Sequence, residues 1–403
     1  MRVVTTTPDL AELCRGLSEA SFVAVDTEFM REQTFWPQLC LIQIASDTIE
    51  AIVDPIAKGL SLDPFFELMA NPRVTKVFHA ARQDIEIIYS RARLIPSPVF
   101  DTQIAASVCG YGESVSYVNL VRDITGQDLD KSSRFTDWSR RPLSDKQLIY
   151  ALGDVTYLRD VYRRLQTELE QTGRTSWVEE EMAELIQPQT YVTEPEDAWR
   201  RLKVRTRNRK AFSVLIELAA WRERMAQLQD VPRSRILRDE ALYDIANQMP
   251  TTPEQLASLR TLSDGFSRST RAREIVEVVR RGLERDASTL PQLNHARPIS
   301  AEAGATVELL KVLLKAAAAR HRVAPRVIAD IEDLERIAGE DEPDVQALKG
   351  WRRQLFGEDA LRLKRGQLAL TLTRGEVMII PGRADEHNTL AAAGDDRPHG
   401  SPG

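Results

Sequence analysis

The sequence has few cysteines and no long apolar run. Its three cysteines, Cys14, Cys40 and Cys109, are odd in number and widely spaced, which fits neither a disulfide framework nor a cysteine zinc site. A reducing cytoplasm is therefore the expected compartment. No segment approaches the roughly 18 apolar residues of a membrane span, and the first residues lack the apolar core of a signal peptide. We therefore expect no association with a membrane.

Several motifs of common enzyme classes are also missing. There is no Walker A loop and no His-Glu-x-x-His motif, and Gly110-Tyr111-Gly112 lacks the third glycine of a dinucleotide fingerprint. The net charge is −6, from 54 basic and 60 acidic residues, so the molecule as a whole is not a polycation. Any binding of nucleic acid must therefore use a local basic patch.

Residues 1–170 alternate strand and helix patterns. Strands are predicted at 22–29, 39–45, 48–54, 74–79 and 98–100, and helices from Thr7 onward and at 62–70, 80–89, 101–109, 116–124 and 144–170. Thr7 and Asp101 are predicted as N-caps, with Pro8 at the first helical position after Thr7. The early strands form a meander and the later ones βα units. The pattern predicts an α/β domain with a mixed sheet flanked by helices.

The remaining chain is predicted to be helical. Glutamates and prolines crowd residues 171–204, which predicts a helix followed by a linker. Helices are predicted near 208–229, 239–247, 253–258 and 269–285, as one domain over 205–288, and then through about 302–375, as a second domain over 296–380. Both domains contain a similar step, Val231-Pro232-Arg233-Ser234-Arg235-Ile236 in the first and Ala324-Pro325-Arg326-Val327-Ile328 in the second, which suggests a duplicated module. The polar segment 381–403 is predicted to be a disordered tail.

Two carboxylates stand at the end of the strand Phe22–Phe29. Strand alternation puts Asp26 and Glu28 on one face, about 6–7 Å apart. Two like charges at the end of a buried strand resist desolvation, and a hard divalent cation is the commonest reason to keep them. Two solvated acids at a strand end remain the alternative.

Three further residues could complete a site. Asp84 follows the strand 74–79, in the first turn of a helix predicted to begin at about residue 80. Tyr150 and Asp154 lie four apart on a helix and share one face at about 5–6 Å. Taken singly, Tyr150 could be a half-buried core aromatic, Asp84 a surface acid, and Asp154 an ion-pair partner of Arg159 or Arg163.

The ordered set of motifs resembles the DEDD exonuclease superfamily, in its tyrosine-bearing branch. Asp26-Thr27-Glu28 looks like the first motif of that superfamily, His79-x4-Asp84 the second and Tyr150-x3-Asp154 the third. The chain is more closely similar to the ribonuclease D family, and the stretch Trp221–Arg224 with Asp230–Leu237 resembles the helical HRDC module of that family. The other stretches that carry the resemblance are Asp26-Thr27-Glu28-Phe29, Phe35-Trp36-Pro37-Gln38-Leu39-Cys40-Leu41-Ile42-Gln43, Phe100-Asp101-Thr102-Gln103 and Tyr150-Ala151-Leu152-Gly153-Asp154.

The resemblance implies a fold and a mechanism. The expected fold is a ribonuclease H-like mixed-sheet exonuclease domain over 1–170, followed by two small HRDC-like helical domains. Asp26, Glu28, Asp84 and Asp154 are then expected to bind two Mg²⁺ or Mn²⁺ ions, and Tyr150 to orient the attacking water. An unperturbed tyrosine pKa of about 10 makes orientation easier for Tyr150 than proton abstraction at neutral pH. Without metal, the four acids would repel each other.

The resemblance also implies a substrate. We expect a monomeric 3′→5′ exoribonuclease that trims extra 3′ nucleotides from tRNA precursors and releases 5′-mononucleotides. A DNA exonuclease and an inactive RNA-binding scaffold are the alternatives. No polymerase or helicase follows the acids, which favours RNA, and the complete set of acids argues against a scaffold.

Aromatic residues and arginines could bind the RNA. Phe29, Phe35, Trp36 and His79 lie near the acid motifs and could stack on terminal bases, although core packing is the alternative for Phe35 and Trp36. Arg134, Arg140 and Arg141 precede the Tyr150 helix and could meet phosphates, or could lie in a solvated loop.

Residues 200–238 form a local basic stretch. They contain twelve basic residues, among them Arg205, Arg207 and Arg209, and three acidic ones. This excess of nine positive charges could follow a phosphate backbone. A helix face neutralised by salt bridges is the alternative.

Overall fold

The computed structural model describes residues 2–130, 136–204, 206, 208–262, 266, 269–291 and 300–382. Arg134, Arg205, Arg207 and the predicted tail from residue 383 onward lie outside these residues. Among the helices in the described ranges, none has both the length and the apolar character needed to cross a bilayer.

The strands are β1 Val3–Val4, β2 Phe22–Met30, β3 Gln38–Ala45, β4 Glu50–Val53, β5 Thr75–Phe78, β6 Val99–Asp101, β7 Leu368–Thr373 and β8 Glu376–Pro381. The helices of the first 185 residues are α1 Thr7–Leu17, α2 Asp63–Ala70, α3 Arg82–Ala92, α4 Thr102–Cys109, α5 Tyr117–Thr125, α6 Asp145–Thr156, α7 Leu158–Thr172 and α8 Thr175–Leu185. Later helices are α9 Arg209–Gln229, α10 Arg233–Ile236, α11 Asp239–Gln248, α12 Pro253–Ala257, α13 Thr270–Glu284, α14 Ala301–His321, α15 Pro325–Ile328, α16 Ile331–Gly339, α17 Gly350–Arg352 and α18 Glu358–Lys364.

A six-stranded mixed sheet places the catalytic candidates. Its strand order is β1-β4-β3-β2-β5-β6, with β2 antiparallel to β3 and parallel to β5. Residues Phe22 to Val25 of β2 are fully buried, because the strand lies inside the sheet with both faces covered. The predicted mixed sheet is therefore confirmed, and its central strand is the one that carries the two carboxylates.

Three local predictions in this region are wrong. The cap of α1 is Thr6 rather than Thr7, since the Thr6 hydroxyl accepts a hydrogen bond from the Asp9 N–H at 3.3 Å. The helix predicted from residue 80 begins at Arg82, because Ala80 has the left-handed φ of 59° that a helix excludes. The helix predicted over 144–170 is two helices, α6 and α7, which meet at Tyr157.

The first helical block contains α9 to α13, and of these α9, α11, α12 and α13 lie at the positions that the sequence predicts, whereas the short helix α10 was not predicted. Its core is built around α9, which has thirteen buried residues. Helix α13 approaches α9 closely at Gly282, where a Cβ atom would lie 2.7 Å from the Cα of Val214. A glycine is required there because any side chain would push the two helices apart.

The second helical block repeats the order of the first one. In each block a 21-residue helix ends at a residue in the left-handed conformation, Asp230 or Arg322, and a four-residue helix and a longer helix follow. This common order supports a duplicated module. The prediction of helix through residue 375 is wrong, because β7 and β8 form a hairpin. Arg374 and Gly375 have φ values of 52° and 86°, which suit a two-residue hairpin turn.

The contacts divide the chain into two compact units. One contains residues 1–101, 125–162 and 182–293, and the other contains 102–124, 163–181 and 294–403. Within the second unit, the Trp177 and Trp351 rings stack with centroids 4.8 Å apart, and Glu181 pairs with Arg352 at 2.6 Å. The second helical block therefore packs with helical segments from the first 181 residues.

Candidate active site

Strand β2 delivers two carboxylates at the point where it leaves the core. Asp26 lies opposite Gln43 of β3 and Glu28 lies opposite Leu41, and the register shifts between Glu28 and Phe29. Both acids are half-buried and follow the fully buried part of the strand. The pairing of β2 with β3 thus fixes the backbone positions of both acids.

Helix α6 brings a third carboxylate to the first two. A capping box between Ser144 and Gln147 begins the helix, which packs across β2, β3 and β4. Each of Asp26, Glu28 and Asp154 offers a carboxylate oxygen, and these oxygens all lie within 4.8 Å of one another. Three clustered carboxylates are the oxygen ligands that a hard divalent cation prefers. The structure therefore brings together three of the four predicted ligands.

Asp84 belongs to the same region and is held by its own contacts. It lies in the first turn of α3, 6% exposed, and its Oδ1 accepts a hydrogen bond from the Thr27 hydroxyl at 2.5 Å. Thr27 stands between Asp26 and Glu28 and is itself buried. The Asp-Thr-Glu motif thus supplies two acids and also the hydroxyl that fixes a third acid.

Asp101 stabilises the turn that precedes α3, the helix that carries Asp84. Its buried carboxylate accepts hydrogen bonds from the Ala80 N–H at 3.0 Å and the Ala81 N–H at 2.8 Å. Asp101, predicted as the N-cap of the helix that follows it, caps the turn that leads into α3. This contact stabilises the left-handed Ala80 and so sets the position from which α3 presents Asp84.

The acids raise each other's pKa values. Loss of solvation, followed by the charges of Asp26, Asp154 and Asp84, raises the pKa of Glu28 to about 9. Loss of solvation raises the pKa of Asp154 to about 7. Loss of solvation, with the charge of Asp154 next, holds the pKa of Asp26 well above its usual range. A bound cation would reverse this effect, because it favours the ionised form of every ligand.

Burial also raises the pKa of Asp84, with the charge of Asp26 as the next cause and the hydrogen bond from Thr27 opposing it. The electrostatic influence between Asp84 and Asp26 means that the four predicted ligands behave as one group of interacting charges.

Gln43 is a buried polar residue beside these acids. Its side chain is 0% exposed, and neither its amide nitrogen nor its amide oxygen has a hydrogen-bond partner among the described residues. An unsatisfied buried polar group costs about 1–3 kcal/mol of stability. This unsatisfied amide, directly opposite Asp26 in the sheet, fits a site that binds a further polar group or ion.

Tyr150 is positioned by an aromatic neighbour. Its ring stacks on Trp138, with centroids 6.1 Å apart and an interplanar angle of 30°. Trp138 is 2% exposed and lies in a small core cluster with Cys40, Leu41 and Ala151. Tyr150 is thus a half-buried aromatic on the same helix as Asp154, one turn away.

Arg141, which precedes α6, serves the fold. Arg141 binds Asp54 through two hydrogen bonds of 2.7 Å and also donates to the Cys40 carbonyl. Arg140 is exposed and pairs with Asp137. Arg141 therefore fastens the loop before α6 to the sheet, and is not available to phosphates as the sequence suggested.

The aromatic candidates occupy different environments. Phe29, next to Glu28 on β2, and His79, directly after β5, are half-buried, and Phe29 packs against the core of the sheet. Phe35 packs against the core of the first helical block, with the Arg233 guanidinium 4.5 Å above its ring and Trp36 at its edge. Asp230 accepts hydrogen bonds from the backbone N–H groups of Phe35 and Trp36 at 3.0 and 2.9 Å. The packing alternative therefore describes Phe35 better than base stacking does.

The basic stretch is partly neutralised. Four of its arginines are in ion pairs: Arg200 with Asp197, Arg222 with Asp239, Arg224 with Glu196 and Arg233 with Glu223. Among the described residues, neither Arg201 nor Arg238 forms an ion pair with a carboxylate, and Arg201 donates a hydrogen bond to the Thr193 hydroxyl. The salt-bridge alternative therefore holds for four residues of this stretch and leaves others for RNA.

Comparison with known proteins agrees with this geometry. A family model described as 3′-5′ exonuclease matches residues 1–170, and a model of the HRDC domain matches residues 211–279. The chain is 53% identical to ribonuclease D of Nitrobacter hamburgensis, over 94% of this chain and 99% of the relative. It is 47% identical to ribonuclease D of Bartonella henselae, over 94% and 93% of the two chains.

A solved structure supports the same relationship. The crystal structure of Escherichia coli RNase D, described as an exoribonuclease involved in structured RNA processing, superposes with a TM-score of 0.78. The two chains are 29% identical, and the match covers 90% of this chain and 98% of the other.

Proposed function

Because this chain belongs to the ribonuclease D family and is a 3′→5′ exoribonuclease, we propose that it trims extra 3′ nucleotides from tRNA precursors and releases 5′-mononucleotides. The observation that carries the proposal is the convergence of Asp26, Glu28 and Asp154 within 4.8 Å. Asp84 is fixed beside them by Thr27. This arrangement suits hydrolysis of a phosphodiester at a chain end, where charge develops on two oxygens.

The four carboxylates are the proposed ligands of two divalent cations, Mg²⁺ or Mn²⁺. When bound, such ions stabilise the negative charge that develops on the attacking and leaving oxygens. Asp26, Glu28 and Asp154 supply the compact set of ligands, and Asp84 extends the set on the side of α3. Burial first, and then the neighbouring carboxylates, raises the pKa values of Asp26 and Glu28, and burial raises the pKa of Asp154, as is expected of ligands without their cation.

Tyr150 is proposed to orient the attacking water. It is held on the face of α6 that also carries Asp154, and its ring rests on the buried Trp138. We expect Tyr150→Phe to slow trimming by about 100-fold without loss of thermal stability, because a small misplacement of a reacting group can cost about this much. Single-turnover trimming rates and a melting curve measure the two effects. Tyr157→Phe, on the same chain segment, is the matched control, and an unchanged rate for Tyr150→Phe would remove its role.

Arg201 and Arg238, which form no ion pair with a carboxylate among the described residues, are proposed to bind the RNA backbone, together with Arg205, Arg207 and Arg209. We expect Arg201→Ala combined with Arg238→Ala to weaken RNA binding and to lower the slope of log K against log salt by about 1.4, since each phosphate contact on a single strand contributes about 0.7. Fluorescence anisotropy in EDTA at several salt concentrations measures the slope. Arg224→Ala, which breaks the ion pair with Glu196, is the control that keeps the wild-type slope. Equal slopes in all three proteins would reject the assignment.

The direct test of the function is a trimming assay. A tRNA with a 3′ extension is labelled at its 5′ end and incubated with Mg²⁺, and the matched DNA is treated in the same way. We expect stepwise shortening of the RNA from the 3′ end, release of 5′-mononucleotides and no reaction in EDTA. Faster shortening of the DNA would favour a DNA exonuclease. Binding of RNA without shortening would favour an inactive scaffold.

The domain organisation, the oligomeric state and the compartment are further proposals. We infer one nuclease domain over 1–170 and HRDC-type modules over 205–288 and 296–380, in a cytoplasmic monomer. Cys14, Cys40 and Cys109 are free thiols, as a reducing compartment requires. Light scattering that gives about twice the chain mass of 45.5 kDa would reject the monomer.

A further inference from the structure

Gln43 is the least explained polar residue near the acids. It lies inside β3, with Asp26 directly opposite on β2 and Ile52 directly opposite on β4. Residues that face each other across a strand pair have Cβ atoms about 4.5–5.5 Å apart and point to the same face of the sheet. The Gln43 amide therefore lies on the same face of the sheet as the Asp26 carboxylate.

The surroundings of Gln43 are closed. Helix α6 packs over β2, β3 and β4, and the buried residues on this face include Leu41, Ile52 and Ala151. Gln43 is 0% exposed, so bulk water does not solvate its amide. Both amide atoms lack a partner among the described residues, although a glutamine can make four hydrogen bonds. A residue used only for packing at this position would be expected to be apolar.

We infer that Gln43 is a positioning residue whose amide donates a hydrogen bond to the Asp26 carboxylate when the acid cluster holds its cation. The inference depends on the proposed function, in which Asp26 is a ligand. A carboxylate that binds a metal ion is commonly fixed by a hydrogen bond from a neighbouring group, which orients it and tunes the site. The Gln43 amide, which lies opposite Asp26 on the same face of the sheet and has no partner among the described residues, is placed to be that neighbouring group.

Replacing the Gln43 amide by an apolar side chain separates a positioning role from a structural one. Gln43→Met keeps the length of the side chain and removes its hydrogen-bonding atoms. We expect the metal-free variant in EDTA to melt at the same temperature as the wild type or higher, because an unsatisfied buried amide has been removed. We expect its affinity for Mn²⁺ to fall by about 10–100-fold, the usual effect of losing a group that orients a ligand. Calorimetric melting and isothermal titration with Mn²⁺ measure the two quantities.

The chain offers a matched control for this experiment. Ser213 in α9 is 2% exposed, and its hydroxyl is also buried without a partner. Ser213→Ala removes an unsatisfied polar group from the first helical block, so it should keep or raise the melting temperature and leave the affinity for Mn²⁺ unchanged. A loss of Mn²⁺ affinity in Gln43→Met alone would assign the effect to the position of Gln43.

Two results would overturn the inference. Gln43→Met that binds Mn²⁺ as tightly as the wild type would exclude a positioning role. A lower melting temperature of the metal-free variant, with a loss of Mn²⁺ affinity no larger than this loss of stability explains, would exclude it as well. If Gln43→Met does not fold, a crystal structure of the wild-type protein with Mn²⁺ decides the question. The Gln43 nitrogen should then lie within about 3.2 Å of an Asp26 oxygen, and an amide still without a partner would reject the inference. Failure of the wild type to bind Mn²⁺ would instead contradict the proposed metal site itself.

Discussion

Asp154→Asn is expected to lower the rate of 3′ trimming by about 10³-fold or more while the fold stays intact. Carboxylate oxygens of Asp154, Asp26 and Glu28 lie within 4.8 Å of one another. Loss of the Asp154 carboxylate therefore removes a negatively charged ligand from the site. A bound metal contributes several kcal/mol of transition-state stabilisation. Since about 1.4 kcal/mol corresponds to a factor of ten in rate, loss of the metal ligand is expected to have an effect of this size.

The same substitution should not weaken the metal-free protein. Asparagine has nearly the same shape as aspartate and carries no charge, so it relieves the repulsion that raises the pKa of Asp26 and Glu28. The melting temperature in EDTA is therefore expected to equal or exceed that of the wild type. Single-turnover trimming of a 3′-extended tRNA and thermal melting together measure the effect.

An acid on the same helix provides the control for Asp154→Asn. Asp145 is exposed in the first turn of α6, far along the helix from Asp154. Asp145→Asn should trim at nearly the wild-type rate. If Asp154→Asn retained wild-type activity, the assignment of the metal ligands would be wrong; if it lost activity and also unfolded, the acid would be a structural residue.

The sequence was sufficient for the features that depend on local periodicity. Four apolar residues before Asp26 predict a buried strand, and the structure buries all four of them on both faces of the sheet. The spacing of Tyr150 and Asp154 predicts one helical face, and α6 includes both residues. The meander β2-β3-β4 also follows from short loops between apolar runs.

The polar contacts around the acids could not be predicted in the same way. Strand alternation directs Thr27 away from the face of Asp26 and Glu28, and only the position of α3 shows that its hydroxyl meets Asp84. The partner of Asp101 is a turn twenty residues earlier, which depends on how β5 and β6 pair. The register of β2 against β3 likewise determines that Gln43 faces Asp26. Each of these contacts joins residues distant in sequence.

Charge counting was less reliable than periodicity. The basic stretch of residues 200–238 has a clear excess of arginine, but Arg222 is 5% exposed and pairs with Asp239, and Arg233 pairs with the buried Glu223. Both arginines therefore stabilise the helical block. A sequence cannot distinguish a buried arginine from an exposed one, because the distinction depends on which helix faces pack together.

The metal-free enzyme is expected to lose stability as the pH rises, and to bind its metal more tightly over the same range. Burial and neighbouring charges place the folded-state pKa of Glu28 at about 9 and that of Asp154 at about 7, above the usual values of 4.5 and 3.8. At pH 7 the folded protein therefore holds protons that the unfolded chain has released. Because the folded state binds more protons, the free energy of unfolding falls as the pH rises from about 4.5 to about 9.

Metal binding requires the ionised carboxylates, so it must release these protons. Below about pH 7, Glu28 and much of Asp154 are protonated, and we expect the affinity for Mg²⁺ or Mn²⁺ to rise by ten- to a hundredfold for each pH unit. Between pH 7 and 9 Glu28 still holds a proton, and the pKa values of Asp26 and Asp84 are raised as well, so the affinity should increase by at least about tenfold for each pH unit. Titration calorimetry at pH 6, 7 and 8, in two buffers of different ionisation enthalpy, measures both the affinity and the protons released.

The slope of stability against pH has opposite signs for a cluster of metal ligands and for merely structural acids. A surface carboxylate in an ion pair has a lowered pKa, so a protein whose acids were merely structural would gain stability with rising pH and release no protons to the metal. A cluster of metal ligands without its cation instead loses stability as the pH rises, and it releases protons when the metal binds. Asp145→Asn should reproduce both wild-type slopes, because the exposed Asp145 is not part of the cluster. An affinity that is independent of pH, with no release of protons, would mean that the acids are already ionised before the metal binds, and the raised pKa values would then be wrong.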